Sequence, residues 1–331
     1  MKNLSRRDFV CTGSLALGAV MINTASGIPF FQNKGKRIGI IGLDTSHAIA
    51  FTKSLHGKPE KFRDYKVVAA YPYGTRTIPS ATDRIPKYIA DIKKLDVKVV
   101  DSIKTLLKEV DYVLLETNDG RLHLDQAREV FKAKKPLFID KPLAASYKDA
   151  EEIMRLSKEY SIPFFSSSSL RYISGMKEIL EGKYGKVLGA DVYSPATIEP
   201  SHLDFFWYGI HAVEMLITCM GVGCKMLNRT HTDGTDIIVG VWEDGRVGTV
   251  RGTRTGTAAF GGTVYCEKGV VKLGDFLGYE PLLEEIVSFF DSGEAPVDEG
   301  QTLEICAFIE AADLSKKMQG RSVNLTDITL K

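Results

Sequence analysis

The first stretch able to do chemistry is a turn. Residues Lys36 to Phe51 read K-R-I-G-I-I-G-L-D-T-S-H-A-I-A-F, an apolar strand, a glycine and a helix start. Such a turn offers free backbone amides to an anion. The dinucleotide fingerprint at this place is G-x-G-x-x-G. Counted from Gly42, Asp44 stands at the second glycine and His47 at the third. An acid there opposes phosphate by charge, while Asp44, Thr45 and Ser46 are good helix N-caps. Three readings stay open. The side chains fill the anion pocket, they bind a polar ligand such as a sugar hydroxyl, or a cofactor binds with the helix end displaced, against the Thr45 and Ser46 hydroxyls.

Two further residues can move protons. Lys141 follows an apolar strand, where an ammonium can polarise a carbonyl or stabilise an alkoxide. His211 lies in an apolar helical run and can take a hydroxyl proton near neutral pH. Glu214 is one turn on, placed to orient the ring or bind a hydroxyl. Asp140, beside Lys141, can pair with a basic neighbour and hold the turn. His47, His123, His202 and His211 show no short metal-ligand spacing, so the reading includes no metal.

The elements that must position these groups alternate. Strand-like runs are 37–41, 66–71, 97–100, 112–116, 136–139 and 163–166, with helical patterns at 49–55, 102–108, 122–133 and 146–160. Short, buried, β-branched runs with helical crossovers predict a doubly wound parallel sheet, an α/β Rossmann architecture. Residues 73–94 read as an irregular connection. From about Arg171 the rhythm becomes antiparallel: runs at 187–194, 224–230, 235–243, 246–255, 262–266 and 270–272, with Asp244-Gly245 a strong hairpin signal. Helical patterns cover 205–220, 281–290 and 302–318. The predicted domains are 35–168, of dinucleotide-binding type, and 169–331, an α+β domain with a large open, mainly antiparallel sheet.

Bulk composition excludes some classes. With 43 basic and 42 acidic side chains in 331 residues, nothing points to nucleic acid. Ser5-Arg6-Arg7-Asp8-Phe9-Val10, a short apolar run and then small residues read as a twin-arginine export signal over 1–30, leaving a periplasmic or otherwise exported chain without a membrane anchor. Cys219 and Cys224 either pair in that compartment or stay buried thiols.

These segments together resemble the Gfo/Idh/MocA family of oxidoreductases. The resemblance rests on Lys134 to Ala144 (K-K-P-L-F-I-D-K-P-L-A), Glu116-Thr117-Asn118-Asp119 with His123, Gly209-Ile210-His211 with Glu214, and the tail Leu303 to Leu325. It implies a nicotinamide cofactor, NAD or NADP, across the strand ends and a sugar, cyclitol or related polyol between the domains. Lys141 and His211 become the catalytic pair. Gly42, Asp44, Thr45, Ser46, His47, Thr117, Asn118 and Asp140 become cofactor contacts, and Arg171, Trp207 and Glu214 substrate contacts. A homo-oligomer follows by the same resemblance.

The chain departs from the family at three places. The glycine loop is altered, no acid ends the strand 66–71, and Trp207 stands where the family places an aspartate. Arg76, just beyond that strand, is placed to meet a 2′-phosphate. An indole supplies a flat face for a sugar ring. The departures keep two alternatives open: a lyase or hydrolase acting on a keto-sugar, and a non-catalytic carbohydrate-binding protein.

Overall fold

The computed structural model describes residues 35–330, Leu203 excepted. The export segment and Cys11 lie outside these residues. The strands are β1 (Arg37–Ile41), β2 (Lys66–Tyr71), β3 (Lys98–Val99), β4 (Tyr112–Leu115), β5 (Leu137–Asp140), β6 (Phe164–Ser167), β7 (Val187–Pro195), β8 (Cys224–His231), β9 (Thr235–Trp242), β10 (Val247–Thr253), β11 (Gly261–Cys266), β12 (Gly269–Leu273) and β13 (Val323–Asn324).

The first six form a parallel sheet in the order β3-β2-β1-β4-β5-β6. Strands β4, β5 and β6 are buried at every residue, as expected of central strands covered by helices on both faces. Hydroxyl caps start the crossover helices: Thr45 for Ser46–Gly57, Ser102 for Ile103–Glu109 and Ser146 for Tyr147–Tyr160. The connection 73–94 departs from expectation, since it holds helices Pro79–Thr82 and Ile85–Lys93. Each carries proline in its first turn, where a missing N–H costs nothing. Prolines that read as breakers are helix starts.

The second sheet runs β12-β11-β7-β10-β9-β8-β13. It is antiparallel except for β7 against β10. Alternate residues of β9 point into the core, toward helices Ile210–Met220 and Glu299–Lys317. Asp244-Gly245 makes the β9–β10 hairpin, with Gly245 at φ +85°. Cys219, Cys224, Cys266 and Cys306 are free and buried. No helix among the described residues is long and apolar enough to cross a membrane.

Two features bind the halves together. Helix Glu280–Ser292, late in the chain, packs Leu282, Leu283, Ile286 and Phe289 into the core of the first sheet, beside Ile38, Phe51 and Phe138. The predicted helix 205–220 is in fact a wider π-type turn, Phe205–Gly209, followed by the α-helix Ile210–Met220. Asp204 anchors the start of that turn. It accepts from Arg229, whose guanidinium is buried, also meets Asp236 and Asp313, and lies over the Phe205 ring. Arg229→Ala strands three carboxylates, and unfolding in denaturant should show a loss of about 3–5 kcal/mol.

Candidate functional site

The strand ends of the first sheet face the π-type turn and enclose a cavity of about 400 Å³. Thr45, Ser46, His47, Asn118, Lys141, Trp207, Tyr208 and His211 line it. Ser80 and Arg84 contribute from the unexpected helical connection, and Tyr279 from the segment before helix Glu280–Ser292. The two predicted catalytic residues therefore share one space, and Trp207 presents its indole there.

His211 is buried. The Ser168 hydroxyl lies 2.7 Å from its Nδ1, and Ser168 also accepts from the Leu170 amide at 3.1 Å. Burial, then the positive charge of Lys141, pushes the His211 pKa well below its ordinary value. The ring is neutral at neutral pH, and in the tautomer whose Nδ1 donates to Ser168, Nε2 carries a lone pair for a proton. Lys141 is also buried, its Nζ 3.4 Å from Asp140 Oδ2.

Glu214 and Arg171, expected as substrate contacts, are not among the residues that line the cavity. Glu214 accepts from the Ser167 hydroxyl and the Ser168 amide, each at 2.8 Å, and pairs with Arg171 Nε at 3.0 Å. Arg171 also donates to Gln301 at 3.0 Å. Burial raises the Glu214 pKa against these partners. The pair holds the backbone of Ser168, and Ser168 rather than Glu214 meets His211. The serine run 166–169 was the available sequence signal, and Tyr279 left none.

The glycine loop shows where its acid goes. Gly42 has φ +97°, and a Cβ there would sit 2.5 Å from the Thr117 amide nitrogen. Asp44 is fully buried; its carboxylate accepts from the Thr75 amide at 3.2 Å and the Asn118 amide at 3.0 Å. It ties the loop after β2 to the loop after β4, across the top of β1. Leu43 N donates to Pro72 O, which continues that closure. The side chain thus closes the turn at the carboxyl ends of these strands. Burial raises the Asp44 pKa to about 6 despite the two amides. Thr45 caps the helix, accepting from His47 N.

His47 turns inward. Its Nδ1 is 2.9 Å from Asp140 Oδ2 and 4.0 Å from Glu116 Oε2, and its ring packs on Phe51 and Tyr279. Glu116 is fully buried, and burial, then Asp140, drives its pKa well above the ordinary range. Burial pushes Asp140 the same way, but His47 and Lys141 outweigh it and hold that carboxyl low. Thr117 is buried beside Gly42. Arg76 stacks its guanidinium on Tyr73, 5.2 Å from the ring centre. The other histidines do not converge: His123 is held by the carbonyls of Thr117, Pro142 and Leu143, and His202 lies 3.7 Å from Asp119.

Residues 36–167 match the Gfo/Idh/MocA family model, described as an oxidoreductase family with an NAD-binding Rossmann fold. Among solved structures, a probable dehydrogenase from Thermotoga maritima shares the fold with a TM-score of 0.71 and 21% identity, over 88% of this chain and 99% of that one. A scyllo-inositol dehydrogenase from Lactobacillus casei, with NAD(H) and scyllo-inositol bound, has a TM-score of 0.69 and 15% identity over 88% and 99%. A shorter stretch of 85 residues is 32% identical to 2,7-anhydro-N-acetylneuraminate hydratase of Escherichia coli, covering 24% of this chain and 23% of that protein.

The Asp44 seat has a pH signature. A carboxyl whose pKa rises from 3.8 to about 6 on folding favours the fold below the lower value and loses that contribution as pH rises through the higher one. Relative to Asp44→Asn, the native chain should therefore lose on the order of 3 kcal/mol between pH 4 and pH 7.5. Paired denaturant titrations at the two pH values measure it; a pH-independent difference refutes it.

Proposed function

We propose that this chain is an oxidoreductase of the Gfo/Idh/MocA family acting on a sugar, cyclitol or related polyol, with NAD or NADP as its nicotinamide. The supporting observation is the convergence of Lys141, a neutral His211 and the Trp207 indole on one cavity. The twin-arginine pattern in 5–10 makes export part of the proposal.

The fit of the dinucleotide divides in two. Thr45, Ser46, Asn118 and Lys141 offer polar groups around the reactive end. The ordinary pyrophosphate seat does not suit it, because Asp44 places a carboxylate in the turn and takes up the Thr75 and Asn118 amides. Arg84 and Ser80 put a cation and a hydroxyl on the same cavity wall and are the residues suited to hold phosphate in a displaced position. When bound, the nicotinamide supplies hydride acceptance and donation. The chain itself handles the proton. Trp207 stacks on the sugar face, Lys141 donates a hydrogen bond to the reacting oxygen, and His211 Nε2 takes the hydroxyl proton. Ser168 holds the imidazole at its other nitrogen.

Asp44 favours a second reading, a lyase acting on a keto-sugar without cofactor exchange. There His211 takes a carbon-bound proton next to the carbonyl, and the electron pair moves to the carbonyl oxygen, which Lys141 stabilises as an enolate. The leaving group departs from the neighbouring carbon as the carbonyl re-forms.

Incubation of the purified chain with polyols and keto-sugars, with and without NAD and NADP, separates the readings. Nicotinamide-dependent turnover supports the first, and cofactor-free turnover of keto-sugars the second. In either case His211→Ala and Lys141→Ala should each lower kcat by about 10²–10⁴-fold. Unchanged kcat in both variants would remove the proton pair from the mechanism.

A further inference from the structure

The floor of the cleft holds a group of charges that the proton chemistry above does not use. His47, Glu116 and Asp140 come from the turn after β1, the end of β4 and the end of β5, three neighbouring strands. One ligand atom from each lies within 4.8 Å of the others. All three side chains are buried. Both Glu116 oxygens and Asp140 Oδ1 have no hydrogen-bond partner among the described residues. A buried carboxylate without a partner costs several kcal/mol and demands compensation. Lys141 answers for one of the two acids, at 3.4 Å from Asp140. Glu116 has no contact as close: its Oε2 lies 4.0 Å from His47 Nδ1 and accepts no hydrogen bond.

We infer that His47, Glu116 and Asp140 bind one divalent first-row transition-metal ion at the base of the cavity. The donor set selects the class. An imidazole nitrogen disfavours Mg²⁺ and Ca²⁺, which take oxygen ligands, and the absence of thiolate disfavours softer ions. One nitrogen and two carboxylates suit Zn²⁺ or Mn²⁺. Ligand atoms on a common ion at bonds of about 2.1 Å stand roughly 3.4 Å apart in tetrahedral geometry. The His47–Asp140 pair is already close, at 2.9 Å. Glu116 must draw in, and no hydrogen bond restrains its carboxylate. Of the three ligands, His47 lines the cavity. The ion's two positive charges match the two carboxylates that would hold it.

The test measures binding rather than turnover, so it is independent of either proposed reaction. The full chain, stripped with chelator, is titrated with ZnCl₂ and with MnCl₂ by calorimetry at pH 7.5, with metal content checked by elemental analysis and the Mn²⁺ signal by electron paramagnetic resonance. The expected result is one ion per chain, a raised Tm in its presence, and affinity lowered by about a hundredfold or more in Glu116→Gln and His47→Gln. If Glu116→Gln fails to fold, His47→Gln and the Tm shift of the native chain carry the test. Absence of binding by either ion overturns the site. So does binding of unchanged strength in the folded variants, which would place the ion elsewhere. A shared proton in place of the ion would show as no binding together with a more stable Glu116→Gln, and also overturns it.

Discussion

Gly42 sets the distance on which the cleft depends. Its positive φ turns the chain out of β1, and its missing side chain lets the turn rest on the Thr117 backbone. At that separation Asp44 reaches the amides on both sides, of Thr75 and Asn118, with one short side chain. The same pinning excludes any side chain at residue 74, where a Cβ would lie 2.2 Å from the Asp44 carboxylate. With the turn fixed, His47 is directed at Asp140 and Glu116. Asp44 and His47 each hold a specific partner in the turn.

Burial tunes the chemistry of the cleft in one direction. It favours the neutral form of every group it encloses, so His211 is a free base while Asp44 and Glu116 retain protons to unusually high pH. Asp140 is the exception, because His47 and Lys141 stabilise its charge. A neutral proton acceptor beside an ammonium is the arrangement needed to shift a hydroxyl or carbon-bound proton. No carboxylate hydrogen-bonds the His211 ring among the described residues; the Ser168 hydroxyl lies at its Nδ1 instead.

Much of this was legible in the residues. The bounds of β1 and β2 coincide with their apolar runs, because buried parallel strands leave no polar interruption. The turn at Asp244-Gly245 was legible because its conformation demands glycine. Lys141 and His211 were found through resemblance, and the fold brings both to one cavity. The helices at 79–82 and 85–93 were hidden by prolines that serve as starts. The Arg171–Glu214 pair and the Glu116 cluster were hidden for another reason: each joins residues far apart in sequence, and no local spacing records such a meeting. Asp204 lies seven residues before His211, and Arg229 and Lys316 hold it in the scaffold.

Helix Glu280–Ser292 carries a consequence for the order of assembly. The first sheet is made early in synthesis, but Leu282, Leu283, Ile286 and Phe289 complete its core from near the end of the chain. Until they emerge, Ile38, Phe51 and Phe138 lack part of their cover. The cleft's wall at Tyr279 arrives with the same segment. The amino-terminal half therefore cannot mature as an independent unit on the ribosome, and a chain released before residue 290 would expose an apolar sheet face to its surroundings.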